Sequence, residues 1–180
     1  MSHTESKYVE KKSHVLRPVH ERNLATRAAE ARLVREFAGE DDWLRTVKRD
    51  YTKFVPFLVR KCNLDFRGRI LEIGADGGWL SAELSKLPRV VEVVTTDLSA
   101  TSLKERAPKV FKLLDANGAK ITRMPADFQA LDFPNNHFDF VVCAAVLHRS
   151  ANIVQVLREA KRVLKPGGQL VALRKRYGRS

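Results

Sequence analysis

Apolar residues recur at three- and four-residue steps through the first third of the chain, then change after Gly68 to short continuous runs. The first 22 residues show neither rhythm and read as a mobile arm. From Asn23 the pattern is helical, with Leu24, Ala28, Ala31, Leu33, Val34 and Phe37 offering one apolar side before Gly39 ends it. Asp41 and Asp42 can then cap a second helix, in which Trp43, Leu44, Val47, Tyr51, Phe54, Val55 and Leu58 recur as packing residues. Pro56 should bend or divide that helix, because it lacks an N–H and its ring clashes with the preceding turn. Residues 1–67 are therefore expected to be a mobile arm and helical lead-in, and residues 68–180 the main domain.

Beyond Gly68, β and α signals alternate. A first strand, Arg69 to Ile73, is followed by a glycine-containing turn and a helix through Leu80, Leu84 and Leu87, closed by Pro88. A second strand runs from Val90 to Thr96 and stops at Asp97. The next helical segment passes through Leu103, Ala107, Val110, Phe111 and Leu114, with Pro108 breaking its first turn and Asn117-Gly118 as a left-handed stop. A third strand spans Ala119 to Met124 and a fourth Phe138 to Cys143. Ile153, Leu157, Ala160 and Leu164 mark a last helix, ended by Pro166-Gly167-Gly168, and Gln169 to Leu173 is the fifth strand. Parallel strands need crossover connections, so this alternation predicts an α/β, doubly wound and mostly parallel sheet between layers of helix.

Composition narrows the class. At 180 residues and 44% hydrophobic the chain suits one domain and is too apolar for general disorder. Two cysteines, Cys62 and Cys143, exclude a disulfide scaffold and have no metal-ligand spacing, so no metal site is expected. No apolar run is long enough to span a bilayer, and the polar start lacks a secretory h-region, so a cytoplasmic protein without membrane contact is the expectation. The net charge is +12, shared evenly between residues 1–69 and 70–180, with a local run at Arg174-Lys175-Arg176 and Arg179. Such a balance favours polyanions, RNA among them, or is simply a solvated basic surface.

Ligands of doubly wound sheets bind beyond the carboxyl ends of the strands. Three features converge there. The turn Glu72-Ile73-Gly74-Ala75-Asp76-Gly77-Gly78 lets a ligand approach the backbone and opens a helix whose first N–H groups are unpaired. Asp97 ends the second strand about 20 residues on, where a ribose diol would meet a carboxylate. Ala126-Asp127-Phe128 follows the third strand, where a carboxylate and a ring could hold the edge and face of an adenine. Together they point to an adenosine-type ligand.

These residues resemble the class I S-adenosylmethionine-dependent methyltransferase family. Ile70-Leu71-Glu72-Ile73-Gly74 is similar to its first motif and Thr95-Thr96-Asp97-Leu98-Ser99 to its acidic second one. Asp132 to Asp139 resembles the loop entering the fourth strand, Val146-Leu147-His148 the segment leaving it, and Glu159 to Gly168 the helix-turn before the fifth. The resemblance spans roughly residues 68 to 174. It implies a Rossmann-like sheet in the order 3-2-1-4-5 and S-adenosylmethionine as cofactor. Gly74, Ala75, Asp76 and Gly78 would border the methionine part, with Glu72 supporting the loop or the methionyl ammonium. Asp97 would accept both ribose hydroxyls, with Leu98 packed on the adenine. Asp127 would take the adenine amino group, Phe128 would cover the ring, and Cys143 and Ala144 would border the cofactor by backbone. His148 would face the substrate and is the candidate catalytic residue.

Two departures from the family pattern carry expectations of their own. Asp76 stands where a small residue is usual, so its side chain should crowd the cofactor and its charge repel the methionine carboxylate; Asp76→Gly should then tighten binding. Few residues follow Leu173, so the fold is expected to be shortened at its C-terminus, with the fifth strand an open edge that invites a second copy of the chain. The helical lead-in is the other candidate surface for such a homo-oligomer. The expected function is methyl transfer to an unidentified acceptor, a small molecule first and RNA second. The non-catalytic alternative is a degenerate cofactor-binding or interaction domain.

Overall fold

The structure is a computed structural model that describes residues 4–10, 37–147, 150 and 152–173. The helix expected from Asn23, His148 and the basic run from Arg174 lie outside the described residues, apart from Phe37 at the end of that helix. In chain order the strands are β1 (Lys7–Tyr8), β2 (Gly68–Ile73), β3 (Val90–Asp97), β4 (Ile121–Pro125), β5 (Phe138–Ala144) and β6 (Leu164–Leu173). The α-helices are α1 (Glu40–Asp50), α2 (Phe54–Lys61), α3 (Trp79–Ser85), α4 (Ala107–Leu113) and α5 (Ile153–Val163). A π-helical turn, Ser102–Arg106, runs directly into α4.

All the strand pairs are parallel, in the order β1-β4-β3-β2-β5-β6. The expected order of five is found, with β1 added outside β4. Alternation along β2 divides the core. Ile70 joins Val93, Phe140 and the helices α1 to α4 on one face, while Leu71 and Ile73 join Val94, Val141 and α5 on the other. Each fully buried side chain of this kind contributes about 1.5–3 kcal/mol. No described helix is long and apolar enough to cross a membrane.

Residues 4–10, the described part of the expected mobile arm, are held against the sheet. Lys7 and Tyr8 pair with Thr122 and Arg123, and the Val9 N–H donates to the Arg123 carbonyl at 2.8 Å. The Arg123 guanidinium fastens this strand, donating to the Ser6 carbonyl at 3.0 Å and to the Leu103 carbonyl at 2.6 Å. Two residues are too short a run for any periodicity to announce.

Helix boundaries follow local chemistry. Asp42 reaches back to accept the Ala38 N–H at 3.2 Å, and three acids occupy the first turn of α1, where they favour the dipole. The break expected at Pro56 falls one turn earlier, in a 3₁₀ turn at Tyr51–Lys53, because Pro56 cannot donate to the Thr52 carbonyl. The left-handed residue after α4 is Asp115, with φ 51°, and not the Asn117-Gly118 pair; Gly118 instead opens a 3₁₀ turn ahead of β4. Pro166-Gly167-Gly168 does not precede the last strand but lies within it. Phe138 pairs with Leu164 and Phe140 with Gln169, so these three residues and Lys165 stand opposite Asp139 alone and form a bulge in β6.

The segment Glu159 to Gly168 has a structural explanation. Arg162 on α5 donates to the Leu131 carbonyl at 2.6 Å and the Phe133 carbonyl at 2.7 Å, while Glu159 accepts the Leu131 N–H at 2.8 Å. The two side chains bond each other and anchor the loop into β5. Lys165 and the Arg69 N–H both bond Asp139, at 2.8 Å each, joining the starts of β2, β5 and β6.

Candidate cofactor site

Three strand ends meet on Asp97. Its backbone carbonyl accepts the Ala126 N–H beyond β4 at 3.0 Å, and the Ala75 N–H beyond β2 donates to the neighbouring Thr96 carbonyl at 2.9 Å. The Asp97 carboxylate accepts the Asp76 N–H on one oxygen and the Ser99 N–H on the other, both at 2.8 Å. Burial pushes this carboxyl up to about 6, against the lowering effect of those two N–H groups. A carboxylate with one bond on each oxygen keeps lone pairs for further donors such as a ribose diol.

Glu72, on β2, is 1% exposed. It accepts both the N–H (3.0 Å) and the hydroxyl of Ser81 on α3, and Thr95 on β3 donates to the Ser81 hydroxyl at 2.7 Å. Burial drives the Glu72 carboxyl up to about 8, against the lowering effect of the two Ser81 bonds. These bonds tie the end of β2, before the loop, to α3, after it.

Gly74 and Gly78 both take left-handed backbone angles, φ 65° and 69°. A Cβ on Gly74 would run into the Val146 side chain, and one on Gly78 would stand 2.8 Å from the Phe111 ring. The chain's own packing thus demands glycine at both positions. Asp76 is also left-handed, φ 52°, and its carboxylate pairs with Arg106 at 2.6 Å. The charge expected to repel the methionine carboxylate is thus paired with a cation of the chain itself.

Leu98, Asp127 and Phe128 are buried beyond β3 and β4, and an Asp127 carboxylate oxygen accepts the Gln129 N–H at 2.9 Å. Phe128 packs with Met124 and Leu131. Cys143 is buried and its thiol is pushed up to about 12 by burial and then by Glu72, which makes it an inert core residue. Ala144 ends β5, and the following Ala145 turns left-handed, φ 54°, with its N–H on the Leu173 carbonyl at 2.8 Å. Among the described residues no group of three His, Cys, Asp or Glu is placed to hold a metal. Sequence reasoning missed Arg106 and Ser81. A charged residue in the turn signals that a cation is needed, but no spacing says which one.

Fold and site together define an α/β domain that gathers an acidic strand end, a glycine turn and a second carboxylate at the carboxyl ends of its parallel strands. The chain matches the methyltransferase-domain family over residues 71–172 and belongs to it. It is 37% identical over 119 residues to the ubiquinone/menaquinone biosynthesis C-methyltransferase UbiE of Pseudomonas aeruginosa, and 38% identical to that of Pseudomonas fluorescens. Each match covers 65% of this chain and 45% of the relative, so the chain spans about half the length of the curated relatives it matches. Among solved structures, the PH0226 protein of Pyrococcus horikoshii superposes with a TM-score of 0.56 at 25% identity, covering 69% of this chain and 54% of that one. A SAM-dependent methyltransferase from Aquifex aeolicus gives 0.55 at 22% identity, covering 71% and 65%.

Family membership implies S-adenosylmethionine as cofactor. The donor set suits it: Asp97 offers acceptors at a junction of three strand ends, and Asp127 and Phe128 offer a carboxylate and a ring beside it in the fold.

Proposed function

We propose that the chain is the cofactor-binding unit of an S-adenosylmethionine-dependent methyltransferase acting on an electron-rich carbon of a small molecule. The observation that carries the first part is the meeting of the β2, β3 and β4 ends on Asp97, whose carboxylate retains free lone pairs. When bound, the cofactor supplies a methyl group activated by its sulfonium, open to displacement by a nucleophile held in line. The chain's contribution is position. Asp97 takes the ribose hydroxyls, Asp127 the adenine amino group, and Phe128 covers the ring. Glu72 and Ser81 hold the loop that borders the methionine part. The sulfonium already activates the methyl, so the site does not require a strong base.

The small-molecule acceptor draws its support from relatives named for C-methylation in ubiquinone and menaquinone biosynthesis. An RNA acceptor rests on net charge alone. Incubation with cofactor labelled in its methyl group and hydroxylated aromatic compounds bearing apolar tails tests the acceptor. Label attached to ring carbon is the expected product. Label transferred to RNA instead, or to no aromatic compound while the cofactor binds, would overturn this choice.

A further inference from the structure

Asp97, Asp76 and Arg106 belong to a circuit of hydrogen bonds that closes through the backbone of the π turn. The Asp97 carboxylate accepts the N–H groups of Asp76 and Ser99, each at 2.8 Å. The Ser99 hydroxyl accepts the Ser102 N–H at 3.1 Å, at the start of the π turn. Arg106, the last residue of that turn, donates to the Asp76 carboxylate at 2.6 Å and completes the circuit. Its guanidinium also lies over the Trp43 ring, 5.9 Å from the centroid. The Arg106 side chain is 10% exposed and that of Asp76 21%.

We infer that Arg106 is a positioning residue for the cofactor's ribose, acting through Asp76. The ion pair holds a non-glycine residue in the left-handed conformation that aims its N–H at Asp97, and this fixes the rotamer of the carboxylate that meets the ribose. A π turn costs regular helix hydrogen bonding, and here it carries the guanidinium to the loop. The consequence reverses the expectation for Asp76→Gly. Removing the carboxylate leaves a largely buried cation without its partner beside Asp97, and Asp97 becomes its nearest alternative. The ribose then competes with Arg106 for the same oxygens, so cofactor binding weakens.

The inference rests on the cofactor reading above, and one experiment separates the two. Calorimetry would compare S-adenosylhomocysteine with its 2′-deoxy analogue on the wild type, Arg106→Gln and Asp76→Asn. Wild type should prefer the hydroxylated ligand by about tenfold or more, the value of a charge-assisted hydrogen bond. Both variants should lose most of that preference, whereas a purely structural role would weaken the two ligands equally. Asp76→Asn is close to isosteric, so it keeps the test open if Arg106→Gln does not fold. A wild type that binds neither ligand overturns the cofactor reading and the circuit's role with it. A wild type that discriminates, with variants that discriminate equally well, overturns the positioning role alone.

Discussion

Replacing Glu72 by Gln should remove a fall in stability between mildly acidic and mildly basic pH. Glu72 is buried with its carboxyl raised from 4.5 to about 8, chiefly by desolvation. Between those values the folded chain keeps a proton that the unfolded chain releases. Stability from this group is therefore full below pH 4.5, declines as pH rises, and is lost through pH 8. At about 1.4 kcal/mol per pH unit, the loss by pH 7 is about 3 kcal/mol. Gln is neutral throughout and its amide oxygen can still accept from the Ser81 N–H and hydroxyl. The variant should match wild type near pH 4.5 and exceed it at pH 7 by about 3 kcal/mol, or about 6–12 °C in Tm for a chain of this size. Thermal and urea unfolding of both proteins across pH 4.5 to 8.5 gives the difference directly. Parallel pH profiles would refute the reasoning, since they would mean that Glu72 is ionised in the folded state.

Two further perturbations test the frame around the site. Arg162→Met removes donors to the Leu131 and Phe133 carbonyls and should destabilise by about 2–3 kcal/mol in urea unfolding, with faster hydrogen exchange in residues 131–136. Removing residues 1–10 takes β1 from the sheet and leaves the Arg123 guanidinium without the Ser6 carbonyl, so exchange at the Arg123 N–H, which faces β1, should rise.

Much of this architecture was legible in the pattern. The apolar runs at Ile70–Ile73, Val90–Thr96 and Phe138–Cys143 are strands because both faces of a parallel sheet are covered, and the helices between them follow from crossover geometry. Asp97 was visible as an acid at a strand end, and the structure adds that it joins three strand ends. What escaped notice depends on tertiary partners. Lys7–Tyr8 becomes a strand because Arg123 reaches its backbone. The β6 bulge depends on how Phe138 and Phe140 pair across the sheet. Asp76 read as a handicap because its partner lies 30 residues away, in a turn whose π geometry no periodicity signals.

Cofactor binding by the wild type and by Asp97→Ala is the most direct measure of the central claim. Calorimetric titration with S-adenosylmethionine should show one site on the wild type and a loss of about 1.5–3 kcal/mol in the variant, roughly ten- to a hundredfold in Kd, with the fold unchanged by circular dichroism. Equal affinity in the two proteins, or no binding by the wild type at millimolar ligand, would contradict it.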